Sequence, residues 1–588
     1  MKSETAPRTS VQSSVQIARR WLVLALVLAC IMAAYIHNVE RWQPTVFFGR
    51  PHDDGTYFST AKALAQGQGY RLVSFPGTPP QTEYPIVYPY LLSWVWKLHP
   101  NFPDNLKPAI RLTEFLGCWT LVAAFLLLRR YGIGEPAALL LVALLAFQPA
   151  FLHLSGMVMS DVPFMAVLLT TLLLADAATR SGGRLPMVFG TGALAGVSVG
   201  LRTIGVAVVA GIFFLALRKR AFREAFLLAG VAGTVVAIES WSRLVHLFVG
   251  ATPVAASAAE PGWNQVLAYY TDYVGFGWRM GIPSAWALVR FLETSVASLA
   301  LSPGSIIVGV DQGRVAATAL LSVLVWFGML RQIKRPEWQG TWCVLIPYCG
   351  IVVAWLPLPE RFLLPFIPAF FAALWLEAQR LWAMCRANLR SGMPFSQRAL
   401  AAAFACAFIF VLGFCGWNYL IGDPRGLQES SGIQAHALEE KKQAYQWIRD
   451  NTGSNDRIAA WEDGLMYLYT GRQSLRPFVP LPQDFYMDDR ESLRRDLAHI
   501  CDASRHAGAR YWLVANDDFL VASNIGRIDA RVAEVVAVLP VVFRSKDDFV
   551  RIYDASCMTD LGRADCRSAA PILFPDSSSG SQVRTLRQ

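Results

Sequence analysis

Polar and apolar residues fall in blocks along this chain. Apolar stretches lie at 21–36, 111–128, 136–153, 160–177, 186–201, 203–218, 223–248, 314–330, 341–357, 361–380 and 399–419. Several approach the roughly 20 residues that cross a bilayer as a helix. The pattern predicts a polytopic α-helical membrane protein with about 11 transmembrane helices, and up to about 13. The two stretches flanking Arg202 are short for a span and read as a broken pair. A further apolar run at 86–98 is too short to span comfortably.

Basic residues orient these segments, because cytoplasmic loops carry an excess of Lys and Arg. The clusters are Arg19/Arg20, Arg129/Arg130, Arg180/Arg184, Arg218/Lys219/Arg220/Arg223, Arg331/Lys334/Arg335 and Arg386/Arg390/Arg398. With the N-terminus inside and eleven spans, every cluster is cytoplasmic. Making 86–98 a span would put Arg129 and Arg130 outside, so that run reads as a helix on the outer face. The expected organisation is a cytoplasmic tail at 1–20 and a transmembrane domain at 21–420 with outer loops 37–110 and 249–313. An extracytoplasmic α/β domain at 421–568 and a disordered Ser-rich end at 569–588 follow. Within the polar part a helix is expected near 436–450, and strands at 457–461, 509–516 and 549–554. Alternating strands and helices suggest a small α/β domain.

Composition agrees. Hydrophobic residues make up 54% and charged residues 16%, against roughly 25% charged in soluble domains. Mean hydropathy is +0.35. A soluble enzyme, a disordered chain and a coiled coil are excluded. The net charge of +10 sits in the loop clusters, so no nucleic-acid partner is expected; membrane lipids are. Residues 21–36 follow Arg19 and Arg20 as a signal peptide would, but no small-residue cleavage site comes after them, so an uncleaved first helix is expected. The ten cysteines lack metal spacing. Cys557 and Cys566, on the outer side, are an expected disulfide, with Cys501 as the alternative partner.

The first outer loop holds Gly49-Arg50-Pro51-His52-Asp53-Asp54-Gly55-Thr56-Tyr57. On structural grounds alone, Asp54 or Thr56 caps a helix running to about Ala65. A carboxylate at a membrane surface can also act as general base on an acceptor hydroxyl or amine. Two adjacent carboxylates can hold a divalent cation beside a phosphate, so a divalent metal ion is the one candidate cofactor.

Asp53-Asp54-x-x-Tyr57-x-x-x-Ala61 after the first membrane helix resembles the Asp-Glu-x-x-Tyr-x-x-x-Ala element of the GT-C glycosyltransferases, in the protein O-mannosyltransferase and aminoarabinose-transferase branches. The resemblance continues through Tyr84-Pro85-x-x-Tyr88-Pro89, Met159-Ser160-Asp161-x-Pro163, Leu201-Arg202-Thr203 and Arg361-Phe362-Leu363-Leu364-Pro365-x-x-Pro368. It covers about 20–420 in order. It implies a GT-C-like fold in a cell membrane, with a bacterial inner membrane as the expected location. It also implies transfer of a sugar, with inversion, from a polyprenyl-phosphate carrier to a lipid, glycan or protein acceptor at the outer face.

By the same resemblance Asp53 takes the position of the catalytic base, Asp54 that of the usual Glu, and Asp161 that of the acidic residue of the second outer loop. Asp161 also suits an N-cap before Pro163. Tyr57, Glu83, Tyr84 and Tyr88 fall among the substrate-binding positions. Where relatives place a Lys beside Glu83, this chain has none. Arg202 and Arg361 are the candidates for the donor phosphate, since a planar guanidinium suits a phosphodiester; the bland alternative is snorkelling to headgroups. The aromatics Trp263, Tyr269, Tyr270, Tyr273, Trp278 and Trp286 read either as an interfacial belt or as a substrate-facing loop.

Two other classes compete. A transporter or flippase of lipid-linked sugars predicts ionisable residues at the midplanes of the spans, and most of these spans lack them. A non-catalytic scaffold with an external domain would be indifferent to substitution of Asp53.

Overall fold

The structure, a computed structural model, describes residues 9–50, 52–241, 260–272, 275–277, 285–308, 315–355, 359–390, 413, 416–417, 419, 423–481, 490–518, 528–556 and 558. The first part is helical throughout: α1 (Thr9–Arg41), α2 (Asp53–Ala65), α3 (Val87–Leu98), α4 (Leu106–Arg130), α5 (Glu135–Ala146), α6 (Pro149–Ser155), α7 (Asp161–Ala178), α8 (Leu185–Leu201), α9 (Val206–Arg218) and α10 (Phe222–Glu239). It continues through α11 (Pro261–Thr271), α12 (Ala285–Val308), α13 (Val315–Gln332), α14 (Pro336–Ala354), α15 (Pro359–Leu363) and α16 (Ile367–Arg390). The polar end comprises α17 (Asp423–Asn451), β1 (Arg457–Ala460), α18 (Asp463–Thr470), β2 (Ser474–Leu475), α19 (Arg490–Leu497), α20 (Asp502–Ala507), β3 (Ala509–Ala515), α21 (Ile528–Val536), β4 (Val541–Arg544) and β5 (Val550–Asp554).

Among the described residues six helices are long and apolar enough to cross a membrane, or seven if the bent pair α5–α6 is one span. Five of the six coincide with expected stretches, at 21–36, 111–128, 160–177, 314–330 and 361–380. The sixth, Ala287–Val308, lies in the stretch read as the outer loop 249–313. Arg290, Glu293 and four serines interrupt its apolar run, which is why it is not evident as a block. Pro303 lies within this helix. Four other expected stretches are helical in α8, α9, α10 and α14 without meeting the length and polarity of a full span; most of 399–419 falls outside the described residues.

The break at Arg202 is present. α8 stops there in an extended conformation (φ −149°, ψ 134°), and a 3-10 turn at Thr203–Gly205 leads into α9. Gly205 permits the turn, because a Cβ there would lie 2.3 Å from the Ser198 backbone. Ahead of α4, the 86–98 run forms α3. It buries Tyr88, Leu92 and Trp96 and exposes Tyr90, Trp94 and Leu98 at four-residue spacing. An apolar stripe facing away from the protein suits a helix lying at a membrane surface.

The three expected strands are β1, β3 and β5 of a five-stranded sheet with order β2-β1-β3-β5-β4, to which β2 and β4 are additions, and the expected helix lies within α17. β2, β1 and β3 run parallel; β5 is antiparallel to β3 and β4. The period of two along a strand divides its residues between two cores. Ile458, Tyr511, Leu513 and Ile552 join the core that runs into the helical bundle. Ala459, Trp512 and Tyr553 face a second core with Leu72 and Phe75 of the first loop and Trp263 and Tyr270 of α11. Burying such large side chains stabilises by about 1.5–3 kcal/mol each. The polar end is thus packed on the first loop and α11 rather than tethered to them. Cys557 and Cys566 lie outside the described residues; Cys501 is buried.

Candidate active site

α2 begins directly after a turn, so Asp53 and Asp54 occupy its first helical turn, where negative charge complements the helix dipole. Their side chains diverge. Asp54 is fully buried and turns back to accept hydrogen bonds from the backbone N–H of Gly49 (3.0 Å) and of Gly55 (2.7 Å). It braces the turn rather than capping the helix as expected. Burial pushes its carboxyl up to about 7, against the pull of those two N–H groups.

Asp53 points the other way. Its Oδ1 accepts from the Tyr84 hydroxyl at 2.8 Å and its Oδ2 from Arg361 Nη2 at 2.9 Å. The same Nη2 lies 2.9 Å from Asp161 Oδ2, and Arg361 Nε lies 3.0 Å from Asp161 Oδ1. Arg202 pairs with Asp161 from the other side, and its guanidinium lies 4.9 Å from the centre of the Phe362 ring. Asp161 occupies the first position of α7 rather than the expected N-cap, which is Ser160 and makes no side-chain capping bond. Tyr348 donates to the Phe362 carbonyl (2.7 Å) and so holds α15, which carries Arg361. Side-chain exposure grades across the cluster, from 4% at Asp161 and 12% at Arg202 to 18% at Asp53 and 33% at Arg361. Asp53 and Arg361 therefore form its open pole.

Tyrosines line one side. The Tyr57 hydroxyl is 2.9 Å from Ser160 Oγ, and its ring lies 4.7 Å from that of Tyr84 and 5.4 Å from that of Tyr88. Tyr88 sits one layer back, hydrogen-bonded to Thr113 (2.8 Å). Glu83 is next to this group. Burial and the nearby charge of Asp53 hold its carboxyl well above the ordinary range. Asp53, Asp161, Tyr57, Tyr84, Arg202 and Arg361 thus converge, whereas Asp54 and Tyr88 support the site from behind.

These donors do not fit a divalent cation. Asp53 and Asp54 diverge, Arg361 fills the space between Asp53 and Asp161, and no group of three His, Cys, Asp or Glu residues among the described residues is placed to hold a metal.

Several residues at the site carried no motif. His52 is buried and adopts φ 66°, ψ −45°, a sparsely populated conformation. Such strain costs on the order of 1–3 kcal/mol and persists only where the surroundings impose it. Here they come from α11 and α18. His52 Nδ1 is 3.1 Å from the Tyr269 hydroxyl, and Nε2 is 3.2 Å from Asp463 Oδ1. Asp463 Oδ2 accepts from Tyr270 (2.9 Å). Burial opposes ionisation of Asp463, but His52, Arg476 and Tyr270 outweigh it and hold the carboxyl below its ordinary value. Arg476 lies 4.4 Å from the Trp461 ring. Of the aromatics noted in the sequence, Trp263, Tyr269 and Tyr270 take part in this packing. Tyr273, Trp278 and the Trp286 side chain lie outside the described residues.

Glycines let the two parts meet. A Cβ on Gly464 would lie 3.1 Å from the Gly55 backbone, and one on Gly49, at φ +97°, would lie 2.8 Å from Leu465. Beyond them Lys441 is sandwiched by Glu462 (2.9 Å) and Asp517 (3.0 Å), and Arg50 lies 3.5 Å from Asp517.

Comparison with known proteins follows the same lines. The family model described as dolichyl-phosphate-mannose-protein mannosyltransferase matches residues 87–253. The fold is similar to that of ArnT from Cupriavidus metallidurans, solved with bound undecaprenyl phosphate: TM-score 0.52 at 13% identity, covering 91% of this chain and 98% of that one. The oligosaccharyltransferase of Archaeoglobus fulgidus in its apo form gives a TM-score of 0.48 at 13% identity, covering 87% of this chain and 72% of that one. No curated protein matches the sequence. The family-model match over residues 87–253 and the fold shared with ArnT make this chain similar to the GT-C membrane glycosyltransferases.

Proposed function

We propose that this protein transfers a sugar from a polyprenyl-phosphate carrier to an acceptor at the outer face of a bacterial inner membrane. The observation that carries the reading is the Asp53–Arg361–Asp161 cluster, a basic carboxylate and a guanidinium side by side at the open pole of a buried charge network. The match to a dolichyl-phosphate-mannose family and the undecaprenyl phosphate bound by the similar ArnT support the class of donor.

In this reading the acceptor's hydroxyl or amine attacks the anomeric carbon as the bond from that carbon to the phosphate oxygen breaks. One displacement inverts the configuration. Asp53 takes the acceptor's proton, within hydrogen-bond reach of it. Arg361, and Arg202 behind it, stabilise the negative charge that stays on the departing polyprenyl phosphate. Asp161 fixes both guanidinium groups, which leaves them aimed instead of free to follow solvent. Tyr57 and Tyr84 present ring faces for the sugar. The polar end with its sheet lies outside, over the same face, and helps enclose the acceptor.

Mass spectrometry of envelope glycans and lipids from cells with and without this chain tests the reading. Loss of one sugar modification on deletion, restored by the native gene and not by Asp53→Asn, is expected. Full restoration by Asp53→Asn removes the base from the scheme, and the scheme with it.

A further inference from the structure

The turn that presents Asp53 is clamped by the polar end of the chain. Asp463, Gly464 and Leu465 open helix α18, and each meets one residue of the turn: Asp463 meets His52, Gly464 meets Gly55, and Leu465 packs over Gly49. His52 precedes Asp53 directly, and both of its ring nitrogens have neighbours from distant segments, Tyr269 of α11 and Asp463 of α18. Asp463 is itself fixed, by the Tyr270 hydroxyl at 2.9 Å and by Arg476 Nε at 3.8 Å. Ser474, which begins β2, donates from its hydroxyl to the Asp463 carbonyl (2.7 Å), so the sheet also holds this residue.

From this arrangement we propose that Asp463 is a positioning residue for Asp53. It acts through His52 and makes the polar end a working part of the active site. A side chain in a sparsely populated backbone conformation does not hold itself there; its partners do. The peptide after His52 sets where α2 begins. Where α2 begins sets the direction of the Asp53 carboxylate toward Tyr84 and Arg361. Asp54, bonded to Gly49 and Gly55, braces the same turn from inside. Removing the Asp463 charge leaves the imidazole without its anionic partner and lets the turn relax. Asp53 then shifts while Arg202 just after α8, Arg361 on α15 and Asp161 on α7 stay in place. The inference rests on Asp53 acting as base, and it adds a residue that lies over 400 positions away in sequence and outside every motif.

The test is a double-mutant cycle on the full chain in lipid nanodiscs. Turnover uses an undecaprenyl-phosphate sugar, chosen as the sugar lost from the envelope on deletion, with membrane extract as acceptor. Undecaprenyl phosphate alone is the probe for carrier binding. Displacing a reacting group by about 1 Å can cost on the order of 10²-fold. Asp463→Asn is expected to lower kcat by about that factor, with carrier affinity changed by less than about twofold. Tyr269→Phe, which keeps the ring and removes the hydroxyl beside His52 Nδ1, is expected to lower kcat in the same sense by less. In the Asp53→Asn background neither substitution should lower the rate further, because coupled residues are non-additive. Additive losses, or a loss of carrier affinity matching the loss of rate, would assign Asp463 a general structural role and overturn the proposal. If Asp53→Asn itself turned over normally, the reading of the reaction would fail first, a result distinct from additivity.

Discussion

Asp53 and Asp161 share one guanidinium nitrogen. Nη2 of Arg361 lies 2.9 Å from Oδ2 of each, although the two carboxylates are carried by helices over a hundred residues apart. Two carboxylates close together repel unless a cation lies between them. The shared arginine lets a buried aspartate stand close to a more exposed one. It also links the open pole of the site to its buried end.

The first prediction concerns the base. Asp53→Asn keeps the shape and removes the basicity. General-base catalysis contributes roughly 10²–10⁴-fold, so kcat is expected to fall by about that factor, with protein yield and membrane insertion unchanged. Asp54→Asn should be milder, since Asp54 faces the backbone of the turn and not the open pole. Steady-state transfer by the two purified variants, side by side, checks the order.

Arg361→Lys is predicted to be damaging despite its conserved charge. Arg361 serves three carboxylate oxygens through Nε and Nη2. An ammonium is a point charge without that fork. Undecaprenyl phosphate affinity and kcat should each drop by about 10-fold or more, as expected when a hydrogen bond to a charged group, worth about 1.5–3 kcal/mol, is lost. Calorimetric titration with the carrier phosphate reads the first effect. A lysine variant that bound and turned over normally would show that a point charge suffices.

How much of this could be read from the sequence depends on the length scale of each signal. Helices of α1, α4 and α7 are continuous apolar runs, and such runs are visible without partners. α12 is not, because Arg290 and Glu293 interrupt it and only packing against α13 and α15 reveals what it buries. The broken pair at Arg202 was legible from the shortness of its halves. Its partner was not, since nothing local to Leu201-Arg202-Thr203 names Asp161. The motifs carried Asp53, Asp161, Arg202 and Arg361 by resemblance, but that resemblance suggested phosphate contacts for the arginines and gave no sign that they bind carboxylates. His52 and Asp463 had no signal at all. A histidine before a helix and an aspartate opening a short helix are both commonplace; only the docking of the sheet on the first loop gives them meaning.

The glycine contacts supply a third prediction. Gly49→Ala faces both a positive φ and Leu465 at 2.8 Å, whereas Gly464→Ala faces only the Gly55 backbone at 3.1 Å. Both should loosen the polar end from α2, and Gly49→Ala more, by on the order of 1–3 kcal/mol for the strained backbone. Limited proteolysis in nanodiscs should cut between the helical part and α17 fastest in Gly49→Ala, more slowly in Gly464→Ala, and slowest in the native protein. Equal cutting of all three would mean that the interface tolerates the added methyl groups.

Topology gives a fourth prediction. Ser454 is exposed just before β1, in the part of the chain placed outside by the basic clusters. Ser391 follows α16 near Arg386 and Arg390, on the side those residues assign to the cytoplasm. A membrane-impermeant maleimide should label Ser454→Cys in intact spheroplasts and Ser391→Cys only after permeabilisation. The reverse pattern would invert the orientation and place the site on the wrong face for the proposed reaction.

The last prediction is a pH dependence of stability with a definite sign. Asp54 is pushed up to about 7 and Asp518 up to about 8, each chiefly by burial. Asp54 lies inside the turn before α2, and Asp518 accepts from the Ala515 N–H at the end of β3. In the unfolded chain such carboxyls titrate near 3.9, so between that value and 7–8 the folded state binds more protons than the unfolded state. Stability therefore falls as pH rises through this window. Their contribution is fully present below about pH 4 and is lost as pH passes the folded values of about 7 and 8. Paired carboxylates such as Asp463, held below the ordinary value, act in the opposite sense and weaken the fold at the acid end. The apparent melting temperature should accordingly decline between about pH 5 and pH 8 and level off above that. Asp54→Asn, which cannot ionise, should make the decline shallower below about 7, and Asp518→Asn should remove the part that continues to about 8. A decline that persists unchanged in the double variant would trace the alkaline loss to other groups.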